Sequence, residues 1–341
     1  MYSKVVVPLD GSELSERSLP YARLVAGALS VPIDLVEAFD VLPAAVHDHL
    51  AVVATQRMLE EAQSRTDNYL GRVRADLRDM GYMATATTLP GAPAQAIVDW
   101  VADDPDALVV MSTHGRGGIA RWALGSVADK VLHAIPNPML LVRGAAANPL
   151  EDGGPRAILA PLDGSTLSEL SLEHAATMAT ALKTRIVLMR VNPDAAVYRD
   201  YLSPGRGGAS GARDADWAAV EELIQNELTD TRDSLDRSAN RLTGEFGFVN
   251  DVVTLPVESR NVAEAIAEAA ASEGAMVVMT THGRSGINRL VMGSVTDRVV
   301  RHSDLPVLVV RQAETPSAAT LEQRVTETGQ QEFGGAAPQP A

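Results

Sequence analysis

The sequence has no cysteine, few aromatic residues and an excess of acidic over basic charge. Without cysteine there are no disulfides, no thiolate metal sites and no thiol catalysis, which fits a reducing compartment. Aromatic residues make up 4% of the chain and the formal net charge at pH 7 is −15. Proteins that bind nucleic acid are usually basic, and those that bind single strands stack bases on aromatic rings. The composition therefore argues against a nucleic-acid partner.

Long hydrophobic runs are missing as well. No stretch reaches the roughly 18 uncharged apolar residues that a membrane span requires. The apolar run that begins at Val5 is too short for a secretory signal peptide. We therefore expect a cytoplasmic protein without a membrane partner.

Two standard nucleotide-binding motifs are also absent. The pattern G-x-x-x-x-G-K-[ST] of Walker-type NTPases does not occur, and GxGxxG does not follow the first predicted strand. The sequence therefore excludes a Walker-type NTPase and disfavours a dinucleotide cofactor.

An internal repeat is the strongest positive signal in the chain, whose 341 residues are a typical length for two domains. Residues 5–12, Val-Val-Val-Pro-Leu-Asp-Gly-Ser, return as Ile-Leu-Ala-Pro-Leu-Asp-Gly-Ser at 158–165. Residues 138–143 return at 306–311. Because the offset grows from 153 to 168, the second copy carries about fifteen extra residues, which we place in the glycine-rich stretch 204–211.

The repeat predicts two domains, 1–146 and 156–312, joined by a linker at 147–155. Residues 313–341 contain almost no core-forming side chains and are predicted to be a disordered tail.

Short apolar runs alternate with amphipathic segments in each copy. In the first copy this pattern predicts strands at 4–8, 33–38, 82–89, 107–111 and 139–142. It predicts a first helix that starts at Ser12 or Ser15. It predicts three more helices at 46–80, 94–102 and 127–134. Alternating strands and helices indicate an α/β fold with a parallel sheet, and near-continuous apolar strands indicate burial on both faces.

The segment repeated with constant spacing lies after the fourth predicted strand. Nine residues separate Gly115 from Gly125-Ser126, and nine separate Gly283 from Gly293-Ser294. A strand, a glycine-bearing loop and a serine at a helix start form an anion cradle, because glycine lets the backbone approach a ligand and the helix N-terminus favours phosphate. A Cβ at Gly125 or Gly293 is expected to displace the ligand or strain the turn.

The aspartates and serines of these segments have two interpretations each. Asp10 and Asp163 end the first strand of each copy, where they either cap the turn or hold a ligand at the carboxyl rim of the sheet. Position alone leaves both open. Ser126 and Ser294 lack the GxSxG pattern of a nucleophile, which favours a cap or a phosphate donor.

The histidines and arginines of the loops carry less information. His114 and His282 have no metal-ligand spacing around them, which argues against zinc and favours a structural role. Arg116 and Arg284 either pair with phosphate or lie exposed.

The chain resembles the universal stress protein family. The residues that carry the resemblance are 5–12, 112–118, 124–131 and 138–143, with their counterparts in the second copy. The resemblance implies two tandem domains, each an open five-stranded parallel sheet of order 3-2-1-4-5 with helices on both faces. ATP-binding members carry G-x-x-G, nine residues and then G-[ST]. Here the first glycine is replaced by Ser112 and Thr280.

The resemblance also implies an adenine-nucleotide site in each half. The implied residues of the first site are Pro8, Asp10, Ala38, Met111, Ser112, Gly115, Gly125, Ser126 and Val127. Those of the second site are Pro161, Asp163, Val191, Met279, Thr280, Gly283, Gly293, Ser294 and Val295. Because Arg260 lies near the place that Gly91 has in the first copy, we expect the second site to be more obstructed and the two affinities to differ.

The implied cofactor is ATP, with or without magnesium, and the implied role is a nucleotide-responsive regulator of a stress response. No catalytic residue or metal ligand is assigned. Two alternatives stay open: an interaction module of the same fold that binds no nucleotide, and a slow ATPase.

The last strands of the two copies, 139–142 and 307–310, are apolar and lie at sheet edges in the order 3-2-1-4-5. In the family, two domains associate through this strand. We therefore expect the two edges to pair antiparallel as an intramolecular pseudo-dimer; a homodimer of the whole chain is also compatible with the sequence, and no protein partner is indicated.

Overall fold

The computed structural model describes residues 2–39, 49–113, 124–143, 153–202, 217–281 and 292–311, and every structural statement below refers to them. The first half contains, in chain order, β1 (Val5–Leu9), α1 (Glu13–Glu16), α2 (Leu19–Leu29), β2 (Ile33–Phe39), α3 (His49–Asp79), β3 (Ala84–Pro90), α4 (Pro93–Ala102), β4 (Leu108–Ser112), α5 (Ser126–Ala134) and β5 (Met139–Val142). The second half contains β6 (Ala157–Pro161), α6 (Thr166–Glu169), α7 (Ser171–Leu182), β7 (Arg185–Asn192), α8 (Ala195–Leu202), α9 (Trp217–Gly244), β8 (Val252–Glu258), α10 (Val262–Glu273), β9 (Ala275–Thr280), α11 (Ser294–His302) and β10 (Val307–Val310).

All ten strands form one sheet of order β3-β2-β1-β4-β5-β10-β9-β6-β7-β8. Within each half the neighbouring strands are parallel. Each half therefore has the order 3-2-1-4-5, which confirms the prediction.

Helices cover both faces of the sheet. The helices α2, α3, α7 and α9 pack on one face, against strand residues such as Val7, Leu35 and Ile158. The helices α4, α5, α10 and α11 pack on the other, against residues such as Val6 and Val109. Successive strand residues point to opposite faces, so strands buried on both sides must be apolar throughout. This explains the uninterrupted apolar runs in the sequence.

The two halves join through β5 and β10, which pair antiparallel with Leu140 opposite Leu308. This pairing was predicted and the structure has it. Polar contacts flank the pairing: Arg143 forms an ion pair with Asp304 at 3.0 Å. Arg311 donates to the backbone oxygen of His133 at 2.9 Å. The last strand of each half is therefore an interior strand of the joint sheet.

The first helix differs from the prediction because it is broken in two. The helix α1 ends at Glu16 and α2 begins at Leu19, with Pro20 in its first turn. Pro20 has no N–H to donate to the oxygen of Glu16, so a continuous helix would lose that bond and suffer a ring clash.

The extra residues of the second half also differ from the prediction, which placed them all in 204–211. That stretch lies outside the described residues, as do most of the predicted linker and the whole of the predicted tail. Between α3 and β3 the chain has the four residues 80–83, whereas between α9 and β8 it has the seven residues 245–251. About three of the extra residues therefore follow α9. Among the described helices, none is long and apolar enough to cross a membrane.

Candidate functional site

The candidate site of each half lies between its first and fourth strands. The connection that leaves the first strand runs over one face of the sheet, and the connection that leads into the fourth strand runs over the other face. In the first half, β1 lies between β2 and β4, with α2 on one face and α4 on the other. Open α/β sheets bind ligands at the carboxyl ends of their strands at such a switch point. The ends of these three strands bring Pro8, Ala38 and Met111 to one rim.

The Asp-Gly-Ser turn closes the end of β1. Oδ1 of Asp10 accepts from the backbone N–H of Ser12 at 3.0 Å, and Ser12 Oγ in turn accepts from the N–H of Ser15 at 3.1 Å, which caps α1. Gly11 has a φ of 72°, a left-handed conformation that favours glycine. Oδ1 of Asp10 therefore caps the turn, as the first interpretation predicted. The same hydrogen bond fixes the position of the carboxylate at the rim.

The second half repeats this turn. Oδ1 of Asp163 accepts from the N–H of Ser165 at 2.9 Å, and Ser165 Oγ accepts from the N–H of Ser168 at 3.1 Å. Gly164 has a φ of 81°. Two carboxylates thus occupy equivalent rim positions, each held by its own backbone.

Glycine begins the helix at each rim. Gly125 is the N-cap of α5, and its N–H donates to the oxygen of Thr113, which ties the helix start to the end of β4. Gly293 is the N-cap of α11 and donates to the oxygen of Thr281 at 2.6 Å. A glycine has no side chain with which to cap the first N–H groups of its helix. Those N–H groups can therefore donate to a bound anion.

The expectation of backbone strain at these glycines is wrong. Gly125 has a φ of −58° and Gly293 a φ of −60°, values that any residue adopts. The φ value of each residue therefore permits alanine.

Most of the predicted site residues lie at the two rims. In the first half the structure places Pro8, Asp10, Ala38, Met111, Ser112, Gly125, Ser126 and Val127 at the strand ends and the helix start. In the second half it places Pro161, Asp163, Val191, Met279, Thr280, Gly293, Ser294 and Val295 in the equivalent positions. Gly115 and Gly283 lie outside the described residues, together with His114, His282, Arg116 and Arg284.

The counterpart of Gly91 is Ser259, which corrects the predicted role of Arg260. The N–H of Gly91 donates to the oxygen of Phe39 at 3.0 Å, and the N–H of Ser259 donates to that of Asn192 at 2.9 Å. Arg260 is one residue further on, and its Nε lies 3.3 Å from Asp194 Oδ1. The repeat spacing gives the same answer, because the offset of 168 that follows the insertion takes position 91 to position 259.

Three further rim residues were not predicted: Glu37, Tyr69 and Arg190. The Tyr69 hydroxyl donates to Glu16 at 2.9 Å. Burial raises the pKa of Tyr69, and Glu16, Glu37 and Asp10 raise it further. A comparison of the two copies at the offset of 153 would have revealed that Glu37 of the first copy corresponds to Arg190 of the second. The described residues contain no group of three or more Asp, Glu or His side chains that could hold a metal ion.

Comparison with known proteins gives a single family. The sequence profile of the Universal stress protein family matches residues 1–143 and again residues 155–311. A universal stress protein of Mycolicibacterium smegmatis is 26% identical over 318 residues, which cover 90% of this chain and 96% of that protein. A universal stress protein of Thermus aquaticus is 30% identical over 145 residues, 42% of this chain and all of its own length. The longer relative matches both halves and the shorter one matches a single half.

Solved structures show the same fold. A universal stress protein of Archaeoglobus fulgidus superposes with a TM-score of 0.60 at 19% identity, over 91% of this chain and 98% of its own. A Pseudomonas aeruginosa protein superposes with the same TM-score of 0.60 at 17% identity, over 96% and 98%. The repeated profile match, the repeated strand order and these likenesses agree, and the chain therefore belongs to the universal stress protein family as a tandem two-domain member.

Proposed function

We propose that this protein binds an adenine nucleotide at the rim of each half and acts as a nucleotide-responsive regulator of a stress response. The observation that carries the proposal is that two features lie together at the switch point of each half. These are a carboxylate fixed by an Asp-Gly-Ser turn and a helix start whose N-cap is glycine.

Each feature suits one part of the nucleotide. The apolar side chains of Ala38 and Met111, or Val191 and Met279, offer a surface for the adenine ring. A carboxylate such as that of Asp10 accepts hydrogen bonds from ribose hydroxyls, as acidic residues do in other α/β nucleotide sites. The N–H groups at the start of α5 or α11, with the exposed Ser126 or Ser294, would hold phosphate.

The proposal is tested by the double variant Gly125→Ala with Gly293→Ala. A methyl group at both helix starts should block the approach of phosphate, while the φ values of both residues permit alanine and the fold is kept. Isothermal titration calorimetry with ATP should show binding to the wild-type protein and a loss of at least about tenfold in the affinity of the double variant.

The matched control is Gly71→Ala, which adds the same methyl group on α3, where a Cβ would meet nothing within 4 Å. Its ATP affinity should equal that of the wild type. An unchanged affinity in the double variant would show that the helix starts do not hold the nucleotide. Each single variant, Gly125→Ala or Gly293→Ala, should leave one site intact. The two variants should give different dissociation constants for ATP, since the halves differ in sequence around the rim.

A further inference from the structure

One rim position carries opposite charges in the two halves. In β2, Glu37 is in register with Leu9, the residue before Asp10, and the preceding Val36 is in register with Pro8. In β7, Arg190 follows Met189, which is in register with Pro161, the counterpart of Pro8. Glu37 and Arg190 therefore occupy the same place in their strands, next to the turn that ends the first strand of each half.

Arg190 lies directly against the turn that holds Asp163. A Cβ placed on Gly164 would be 2.8 Å from Nη1 of Arg190 and 3.0 Å from its Cζ. Because Gly164 follows Asp163 in the chain, the guanidinium lies next to the turn that carries a predicted ligand of the second nucleotide site.

Glu37 gives the first rim the opposite character. The Tyr69 hydroxyl donates to Glu16 at 2.9 Å. Burial raises the pKa of Tyr69, and the negative charges of Glu16, Glu37 and Asp10 raise it further. Glu16 shares a groove with Arg23 and Arg72, and its counterpart Glu169 forms an ion pair with Arg241, so the two halves have a carboxylate in common at that position. At the position of Glu37, by contrast, the described strands carry a carboxylate in the first half and a guanidinium in the second.

We infer that this position makes the two nucleotide sites prefer ligands of different charge. Arg190 favours a polyphosphate nucleotide in the second site, and Glu37 favours an adenine ligand of low charge, such as the nucleoside, in the first. The inference rests on the proposed function, because it assigns a ligand class to each of its two sites. The physical reason is that a unit charge at the edge of a site shifts the binding of a multiply charged ligand by Coulomb interaction and leaves an uncharged ligand almost unaffected.

The test uses ATP and adenosine as a charged and an uncharged probe of each site in the full chain. Gly125→Ala leaves only the second site, and in that background Arg190→Glu should weaken ATP binding by about tenfold while adenosine binding changes less than about twofold. Arg190→Lys keeps the charge and should keep the ratio of the two affinities. Gly293→Ala leaves only the first site, where Glu37→Arg should strengthen ATP binding by about tenfold with adenosine unchanged.

The matched control is Arg185→Glu, which makes the same charge change at the amino end of the same strand, where Arg185 pairs with Glu273. It should leave both affinities of the second site unchanged. If Arg190→Glu shifts ATP and adenosine equally, or if Arg185→Glu acts as strongly as Arg190→Glu, the inference is wrong.

Three further outcomes are distinguishable. If Arg190→Glu does not fold, as judged by circular dichroism, Glu37→Arg in the other half tests the inference by itself, and an unchanged ATP-to-adenosine ratio there overturns it. If the wild-type protein binds neither ATP nor adenosine, the proposed function fails and the inference fails with it. If both probes bind and no variant alters the ratio of the ATP affinity to the adenosine affinity, only the inference is wrong and the proposed function is kept.

Discussion

At the scale of single residues, the two Asp-Gly-Ser turns show how a rim carboxylate is fixed by the backbone around it. The turn at Asp163 needs a left-handed glycine, because Gly164 has a φ of 81° and the guanidinium of Arg190 lies over it. Adding a Cβ there has two costs: the left-handed conformation, worth about 1–2 kcal/mol, and the displacement of Arg190.

The substitution Gly164→Ala is therefore expected to lower the free energy of unfolding by about 2 kcal/mol or more. Gly81→Ala is the matched control, because Gly81 also has a left-handed φ, 89°, but a Cβ there would meet nothing within 4 Å. It should cost only about 1 kcal/mol. Urea denaturation measures both values. Equal costs for the two variants would mean that Arg190 does not pack on the turn.

At the scale of elements, β5 and β10 hold the halves together through side chains that are buried on both faces. Leu141 is 2% exposed and Val309 is 1% exposed. Both belong to the core on the face covered by α5 and α11. Because every side chain of these two strands faces a helix layer, a charged side chain at any of their positions would be buried.

The pair Leu141→Lys with Val309→Lys should destabilise this junction by several kcal/mol, since a buried ammonium without a partner costs about that much even after relaxation. We expect aggregation or separation of the halves, visible as a larger radius in small-angle scattering and as two unfolding transitions. Val253→Lys is the control, because Val253 lies on the outer strand β8 and is 41% exposed. A compact double variant with one unaltered transition would contradict the role of this junction.

At the scale of the whole molecule, a second contact joins the halves on the opposite side of the sheet. The hydroxyl of Tyr2 in the first half lies 2.7 Å from Nδ1 of His174 in the second. Burial lowers the pKa of His174 below its ordinary value of 6.5, and Glu173 opposes that shift. The imidazole is therefore neutral in the folded protein near neutral pH and can accept from the Tyr2 hydroxyl.

Because the folded-state pKa of His174 is depressed, the unfolded chain binds its proton first as the pH falls. The contribution of His174 to stability is thus fully present above pH 6.5 and is lost as the pH falls towards the lower folded-state value. His174→Gln should remove this part of the pH dependence of unfolding, measured by urea denaturation between about pH 5 and 8.

Tyr2→Phe separates the hydrogen bond from burial. It should cost about 1 kcal/mol at neutral pH but should keep the pH dependence, because burial is the first cause of the shift at His174. If His174→Gln leaves the stability profile unchanged between pH 5 and 7, another group carries the acid sensitivity.

Much of the architecture could be predicted from the sequence, because short apolar strands and amphipathic helices in strict alternation allow few other folds. The five strands of the first half were placed within one or two residues, as in the case of the predicted 139–142 and the observed Met139–Val142. The break between α1 and α2 was missed because Pro20 is tolerated in the first turn of a helix, and the sequence did not show which turn was the first.

The candidate site was predicted less completely than the fold. Its glycines, aspartates and serines carry local signals, since turns and helix starts require particular residue types at particular spacings. Glu37 and Arg190 carry no such signal, because a charged residue at the end of a strand is ordinary until the neighbouring turn is known.

The sequence by itself determined the strand and helix order, the two-fold repetition and the residues of each Asp-Gly-Ser turn, because these depend on periodicity and on bonds between near neighbours. Only the tertiary structure decided which residues far apart in the chain lie beside one another: Glu37 in register with Leu9, and Tyr2 beside His174. Those contacts depend on strand register and on the packing of segments far apart in the chain. No local pattern encodes them.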